Sequence, residues 1–101
     1  MELVEQADGG TVTLRLSGEL DMASAPDFEQ AAIARMSAPE VATLVISLGG
    51  LTFTDSAGLS TLVAIQDAAD REGVAVVLTD VNRQVRKLMD ITSMSGMFDI
   101  R

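Results

Sequence analysis

The pattern of apolar and polar positions sets out the elements of this chain in order. From Thr11 to Ser17 the two alternate strictly, with Val12, Leu14 and Leu16 on one face and Thr11, Thr13, Arg15 and Ser17 on the other. That period belongs to a strand with one face in the core and one in water. Glu2 to Gln6 reads as a partner strand across the turn signal Asp8-Gly9-Gly10. Gly18-Glu19-Leu20-Asp21 leaves the strand and leads into a helix, whose apolar stripe is Phe28, Ala32 and Met36 with Ala25 and Ile33 nearby. Ser24 with Asp27 three residues later resembles a capping box with a shortened acid; Pro26 is tolerated in a first turn, and Ser37-Ala38-Pro39 ends the helix.

Thr43-Leu44-Val45-Ile46-Ser47-Leu48 is a nearly continuous apolar run, predicted to be a strand buried on both faces. Gly49-Gly50 follows as a flexible connection. Leu59, Leu62, Val63, Gln66 and Ala69 then recur at helical spacing, so a helix starts near Ser56, with Asp55 at its cap and Gly73 closing it. Its Asp67 and Arg71 are spaced for an exposed ion pair worth only ~0.3–0.5 kcal/mol. Val74 to Leu78 is a second fully buried strand. Asn82 caps a short helix with Val81, Val85, Leu88 and Met89 inward and Arg83, Arg86 and Lys87 on a solvated outer face. Met89, Met94 and Met97 read as core filler, and Phe98-Asp99-Ile100 as a last short strand.

This order predicts an α/β fold: a single layer of about four to five mixed strands with helices packed on it, the parallel strands buried and an antiparallel pair at the edge. Ligands of such sheets gather at the carboxyl ends of the strands, which brings the Asp21 loop and the Asp55-Ser56 loop to the same end.

Composition narrows the function more than the fold. A chain of 101 residues suits one domain, residues 1–101, and 48% hydrophobic content is too high for a disordered chain. No apolar run approaches a membrane span, and the acidic, alternating start Met1 to Gln6 is unlike a signal peptide. The absence of cysteine fits a reducing cytoplasm. A net charge of −8 disfavours nucleic acid and anionic membranes, and three phenylalanines as the only aromatics build no stacking platform for bases.

Catalytic equipment is scarce. Histidine is absent, so a nucleophilic serine has no ordinary base, and Lys87 is the sole lysine. No EF-hand spacing and no glycine-rich phosphate loop occurs. What remains is Ser56 in the first turn of a helix, beside the positive end of its dipole, where a phosphate is tolerated. Gly58 is expected to keep the surface around it open to another backbone.

Gly18-Glu19-Leu20-Asp21 and Phe53-Thr54-Asp55-Ser56-Ala57-Gly58-Leu59, in this placement between strand and helix, resemble the STAS family, specifically its stand-alone bacterial anti-anti-sigma factors. The likeness runs almost end to end and closes with Val85-Arg86-Lys87-Leu88-Met89-Asp90 and Met97-Phe98-Asp99-Ile100. The resemblance implies that a partner kinase phosphorylates Ser56, and that Asp21, Thr54, Asp55, Ser56, Ala57, Gly58 and Leu59 form the partner-binding face. The partner would be an anti-sigma factor that is also an ATP-dependent serine kinase. Bound by the unphosphorylated form, it would release a sigma factor; phosphorylation would end the binding and a serine phosphatase would restore it. Magnesium and ATP would belong to the kinase, so this chain is expected to be no enzyme and to carry no cofactor or metal. It is expected to act in the cytoplasm as a monomer or weak dimer.

Four positions depart from the family pattern. Ser47 stands where relatives carry Asp or Asn, Ala57 replaces a second hydroxyl residue, Ser93 replaces a frequent glycine, and the chain stops at Arg101 where relatives often continue into a last helix. The competing expectation is a STAS scaffold without a phosphoswitch, or an accessory subunit of a larger assembly such as a lipid transporter. Fold alone does not separate the two.

Overall fold

The computed structural model describes residues 1–101, the side chain of Ser95 excepted. In chain order the elements are β1 (Glu2–Asp8), β2 (Thr11–Leu20), α1 (Ala25–Met36), β3 (Thr43–Thr54), α2 (Ser56–Glu72), β4 (Ala75–Thr79), α3 (Arg83–Ile91), a 3-10 turn (Ser95–Met97) and β5 (Asp99–Ile100). The five strands form one sheet in the order β1-β2-β3-β4-β5, antiparallel between β1 and β2 and parallel thereafter. The predicted architecture is the one found.

Val12, Leu14, Leu16, Leu44, Ile46, Leu48, Val76 and Leu78 point to one side, where they form a single core with Phe28, Ala32 and Met36 of α1, Leu59, Leu62 and Ile65 of α2, and Val85 and Met89 of α3. The two long helices, α1 and α2, also pack against each other. With helices on this side only, the other face is wetter than a doubly covered sheet. Val45 is half-buried and Ala75 exposed, so β3 and β4 are not buried throughout as their apolar runs suggest. Their apolar runs reflect β-branched strand preference as well as burial.

Other local expectations change. Ser24 occupies the N-cap of α1 but makes no side-chain cap bond; Asp21 Oδ1 accepts from the Ala23 and Ser24 N–H groups, which precede the helix. Asp67 and Arg71 form no ion pair among the described residues, and Gln66 Nε2 donates to Asp70 Oδ1 at 3.0 Å on that helix. Met89 is core, but Met97 is exposed. Asn82 does cap α3, its Oδ1 accepting from the Val85 N–H at 2.9 Å, and Gly73 ends α2 in the left-handed conformation at φ 72°. An exposed ion pair, Arg35 with Glu5, ties α1 to β1. Among the described residues no helix is long and apolar enough to cross a membrane.

Leu62 is 2% exposed and lies in the core between α2 and the sheet. Leu62→Ala is expected to lower stability by ~2–5 kcal/mol, through lost transfer energy and the cavity left behind. The shift of the urea midpoint at constant m-value measures it.

Candidate functional site

The site grows out of the paired ends of β2 and β3. Both strands run further than their sequence pattern suggests, β2 through Gly18 to Leu20 and β3 through Gly49-Gly50 to Thr54. The glycine pair is therefore part of the strand and not a flexible link. Arg15 pairs with Ser47 but Ser17 with Gly50, and Gly18 pairs with Leu51 but Glu19 with Phe53, so β3 carries one extra residue at each step. Each bulge flips the side-chain alternation. The inward series on β3 accordingly runs Leu44, Ile46, Leu48, then Leu51, then Thr54, all buried. At the first bulge the backbones come so close that a Cβ on Gly50 would stand 2.7 Å from the Leu16 carbonyl and 2.9 Å from Ser17 Cβ.

The last pair of this ladder, Leu20 with Thr54, is the floor of the site. Asp55 follows in an extended conformation, and its Oδ1 accepts from the Gly58 N–H at 3.1 Å, capping α2. Gly58 then lies flat on the floor: a Cβ there would run into Thr54 Oγ1 and stand 3.0 Å from both the carbonyl oxygen and the Cγ of Leu20. Gly58 is buried, so its missing side chain serves packing inside the domain and not the approach of another backbone. Leu59 is fully buried, and Thr54 is buried with a hydroxyl that has no partner among the described residues.

With that turn anchored, Ser56 stands exposed at the first helical position and Ala57 is half-buried beside it. Asp21, next in chain to Leu20, lies on the same rim. Its Oδ1 accepts from the Ala23 N–H at 3.0 Å and the Ser24 N–H at 3.1 Å, while Ser24 Oγ accepts from the Asp21 N–H at 3.0 Å. These bonds, the Ser24 backbone first, hold the Asp21 carboxyl below the usual carboxylate range. Of the seven predicted contact residues, Asp21, Asp55, Ser56 and Ala57 reach the surface, while Thr54, Gly58 and Leu59 hold it in shape.

Three further residues went unnoticed in the sequence. Met22 is 77% exposed next to Asp21, Phe53 is 40% exposed next to Thr54, and Ile91 is 69% exposed at the end of α3. Met22 and Phe53 are chain neighbours of Asp21 and Thr54, and Ile91 lines the cleft beside Thr54, so each adds apolar surface next to a residue of the site. Phe53 faces outward whether or not the bulges are counted, because their two flips cancel before it; what the sequence did not show is that β3 runs as far as Thr54.

On the other side of β3 the sheet stops early. β4 ends at Thr79, opposite Ser47, so β3 overhangs it from Leu48 to Thr54. Asn82 reaches across to donate from Nδ2 to the Leu51 carbonyl at 3.0 Å, and α3 lies beside the overhang. Between them an open cleft of about 210 Å³ is lined by Thr54, Gln84, Lys87, Leu88 and Ile91. Ser47 Oγ donates to Asp80 Oδ2 at 3.0 Å, which ties β3 to the loop after β4.

The family model described as "Mlab, STAS domain" matches residues 3–99. An anti-sigma F factor antagonist of Paenibacillus polymyxa is 32% identical over 91 residues, 90% of this chain and 75% of that protein. The crystal structure of an anti-sigma factor antagonist from Mycobacterium paratuberculosis superposes with a TM-score of 0.83 at 27% identity, covering 98% of this chain and 83% of the other. The phosphorylated form of the Bacillus cell fate determinant SpoIIAA shares the fold, with a TM-score of 0.77 at 18% identity over 99% of this chain and 91% of its own.

Two outcomes test this geometry. Gly58→Ala is expected to destabilise the protein by ~1–3 kcal/mol through overpacking, with much of the loss recovered in Gly58→Ala/Thr54→Ala, where the colliding hydroxyl is gone. Denaturant melts of the double-mutant cycle read the coupling. For Asp21, a folded pKa below the unfolded value means a stabilising contribution that is full above about pH 4 and is lost as pH falls through the folded pKa. Asp21→Asn is therefore expected to flatten the acid limb of the stability–pH curve below about pH 4, and to leave the limb above pH 7 unchanged.

Proposed function

The chain belongs to the STAS family, and from that premise we propose that it works as an anti-sigma factor antagonist with the Ser56 hydroxyl as its switch. The observation that carries the reading is the exposed Ser56 on a turn locked from below by Gly58 and Leu59 and flanked by two carboxylates, Asp55 and Asp21. The unphosphorylated rim, with Asp21, Met22, Phe53, Ser56 and Ala57 outward, docks on an anti-sigma factor and frees the sigma factor it held. That partner is also the serine kinase that modifies Ser56, using its own magnesium and ATP, and a serine phosphatase reverses the step. The setting is the cytoplasm, where sigma factors act.

The chemistry of the block is electrostatic. Phosphate adds about −1.5 to −2 charges to a rim that already holds two carboxylates. At a helix N-terminus the free domain tolerates that charge. Across an interface shaped for a neutral hydroxyl it must be desolvated against a surface that does not pair it, which costs several kcal/mol. No rearrangement of the fold is needed.

Calorimetric titration of an anti-sigma factor kinase with four forms of the protein tests the reading. Parent and Ser56→Ala are expected to bind alike, and Ser56→Ala to accept no phosphate at the motif. Phosphorylated Ser56 is expected to bind ~100-fold more weakly or worse. Ser56→Asp should fold, with a gain of ~0.3–1 kcal/mol from the helix dipole, yet bind at an intermediate level because its charge is smaller. Equal affinity of the unmodified and phosphorylated forms would overturn the switch and leave the STAS scaffold without one.

A further inference from the structure

The remaining question at this rim is what, inside the chain, answers the phosphate. Seven basic residues stand against fifteen acidic ones, and Lys87 is the only lysine. Arg35 is paired with Glu5 and Arg101 with Asp99, but Lys87 is exposed and makes no ion pair among the described residues. It sits on the stripe Gln84, Lys87, Leu88, Ile91 of α3, which faces the end of β3 across the cleft. The opposite wall is Thr54, the one buried side chain whose polar atom is unsatisfied among the described residues. Ser56 is two residues further along, within roughly 7 Å of chain.

Of the charged groups on the surrounding elements, Asp21 and Asp55 lie on the same rim as Ser56, and both repel a phosphate. On α3, Arg83 and Arg86 lie outside the lining of the cleft, and Asp90 adds a further negative charge. Lys87 is thus the cation whose position and flexible four-carbon stem suit the space between α3 and the first turn of α2.

We propose that Lys87 is the internal counter-ion of phosphorylated Ser56, pairing with the phosphate across the cleft between α3 and the end of β3. This deepens the switch reading by naming a second state of the rim. Unphosphorylated, the cleft is open and Ile91 and Leu88 are available beside the docking face. Phosphorylated, the lysine side chain spans the mouth and covers part of the surface a partner would use, with α3 left in place. A charge-assisted contact of this kind favours the dianionic phosphate.

The test needs no kinase, so its result is independent of whether an anti-sigma kinase recognises Ser56. Phosphoserine is placed at position 56 during translation by an expanded genetic code, in the parent and in Lys87→Met and Arg83→Met. Phosphorus NMR then follows the second ionisation. The parent is expected to titrate roughly half a unit lower than Lys87→Met, with Arg83→Met like the parent. Because there is one lysine, labelling with ¹⁵N-lysine gives a single side-chain ammonium signal. That signal is expected to shift and sharpen when serine is replaced by phosphoserine. Identical phosphate titrations in parent and Lys87→Met, with an ammonium signal indifferent to the phosphate, would overturn the pairing. Loss of the kinase interaction alone would bear on the switch and leave this result standing.

Discussion

The first turn of α2 can lie directly on the end of the sheet because residue 58 has no side chain. A Cβ there would overlap the Thr54 hydroxyl and press on the Leu20 carbonyl, so any larger residue lifts the helix start away from the β2–β3 ladder. Everything at the rim follows from that close approach. The Asp55 carboxylate reaches the Gly58 N–H, Leu59 drops into the core, and Ser56 is left outward at a fixed height above Leu20 and Thr54. Asp21 is held by its own turn on the neighbouring strand end. The two loops are therefore positioned by one ladder pair and not by each other, with no hydrogen bond needed between them.

The bulges in β3 make that pair possible. A regular strand of the same length would present Leu51 to the outer face and break the inward series after Leu48. The first extra residue turns Leu51 inward and the second restores the original parity, so Thr54 is inward and Phe53 outward. Because β4 stops at Thr79, β3 also runs past its end and exposes an edge that has to be covered. Asn82 and α3 do so, and the imperfect cover leaves the cleft beside Thr54. The inward turn of Leu51 and the Leu20–Thr54 pair thus follow from the two insertions, and the cleft from the early end of β4.

This explains how far the sequence could be read. Regular alternation in Thr11 to Ser17 and helical spacing after Ser56 are local signals, and they located β2 and α2 with their caps at Asp55 and Gly73. The convergence of Asp21 and Ser56 followed from a topological rule for parallel sheets and needed no distances. Gly49-Gly50 misled because a glycine pair in sequence looks alike whether it is a linker or a bulge; what distinguishes them is the neighbouring strand, which sequence order does not show. Ser24 misled for a related reason. Its hydroxyl bonds back to Asp21 and Glu19 instead of forward into α1, a choice set by the tight turn before it. Ser93, which stands in place of a frequent glycine, put the turn after α3 in question; the turn forms with Ser93 itself in the left-handed conformation at φ 60°.

The same rigidity bears on what a charge at Ser56 can do. A flexible loop would relax around a new phosphate by swinging it into water, and the effect on a partner would be diluted over many conformations. Here the turn is anchored by a buried glycine, a buried leucine and a capped N–H, so a phosphate on Ser56 would stay where the hydroxyl was. It would stand beside the carboxylates of Asp55 and Asp21, the latter held below its ordinary pKa by the Ser24 and Ala23 backbone donors, with the proposed Lys87 contact as its one counter-charge from α3. Repulsion within the rim is partly offset by the helix dipole, a fraction to one kcal/mol at an exposed site, or about 0.3–1. Desolvation against a docked partner is larger. Under the proposed switch, that imbalance would let the domain keep its fold with and without phosphate, and the cost of the added charge would fall at the interface with the partner.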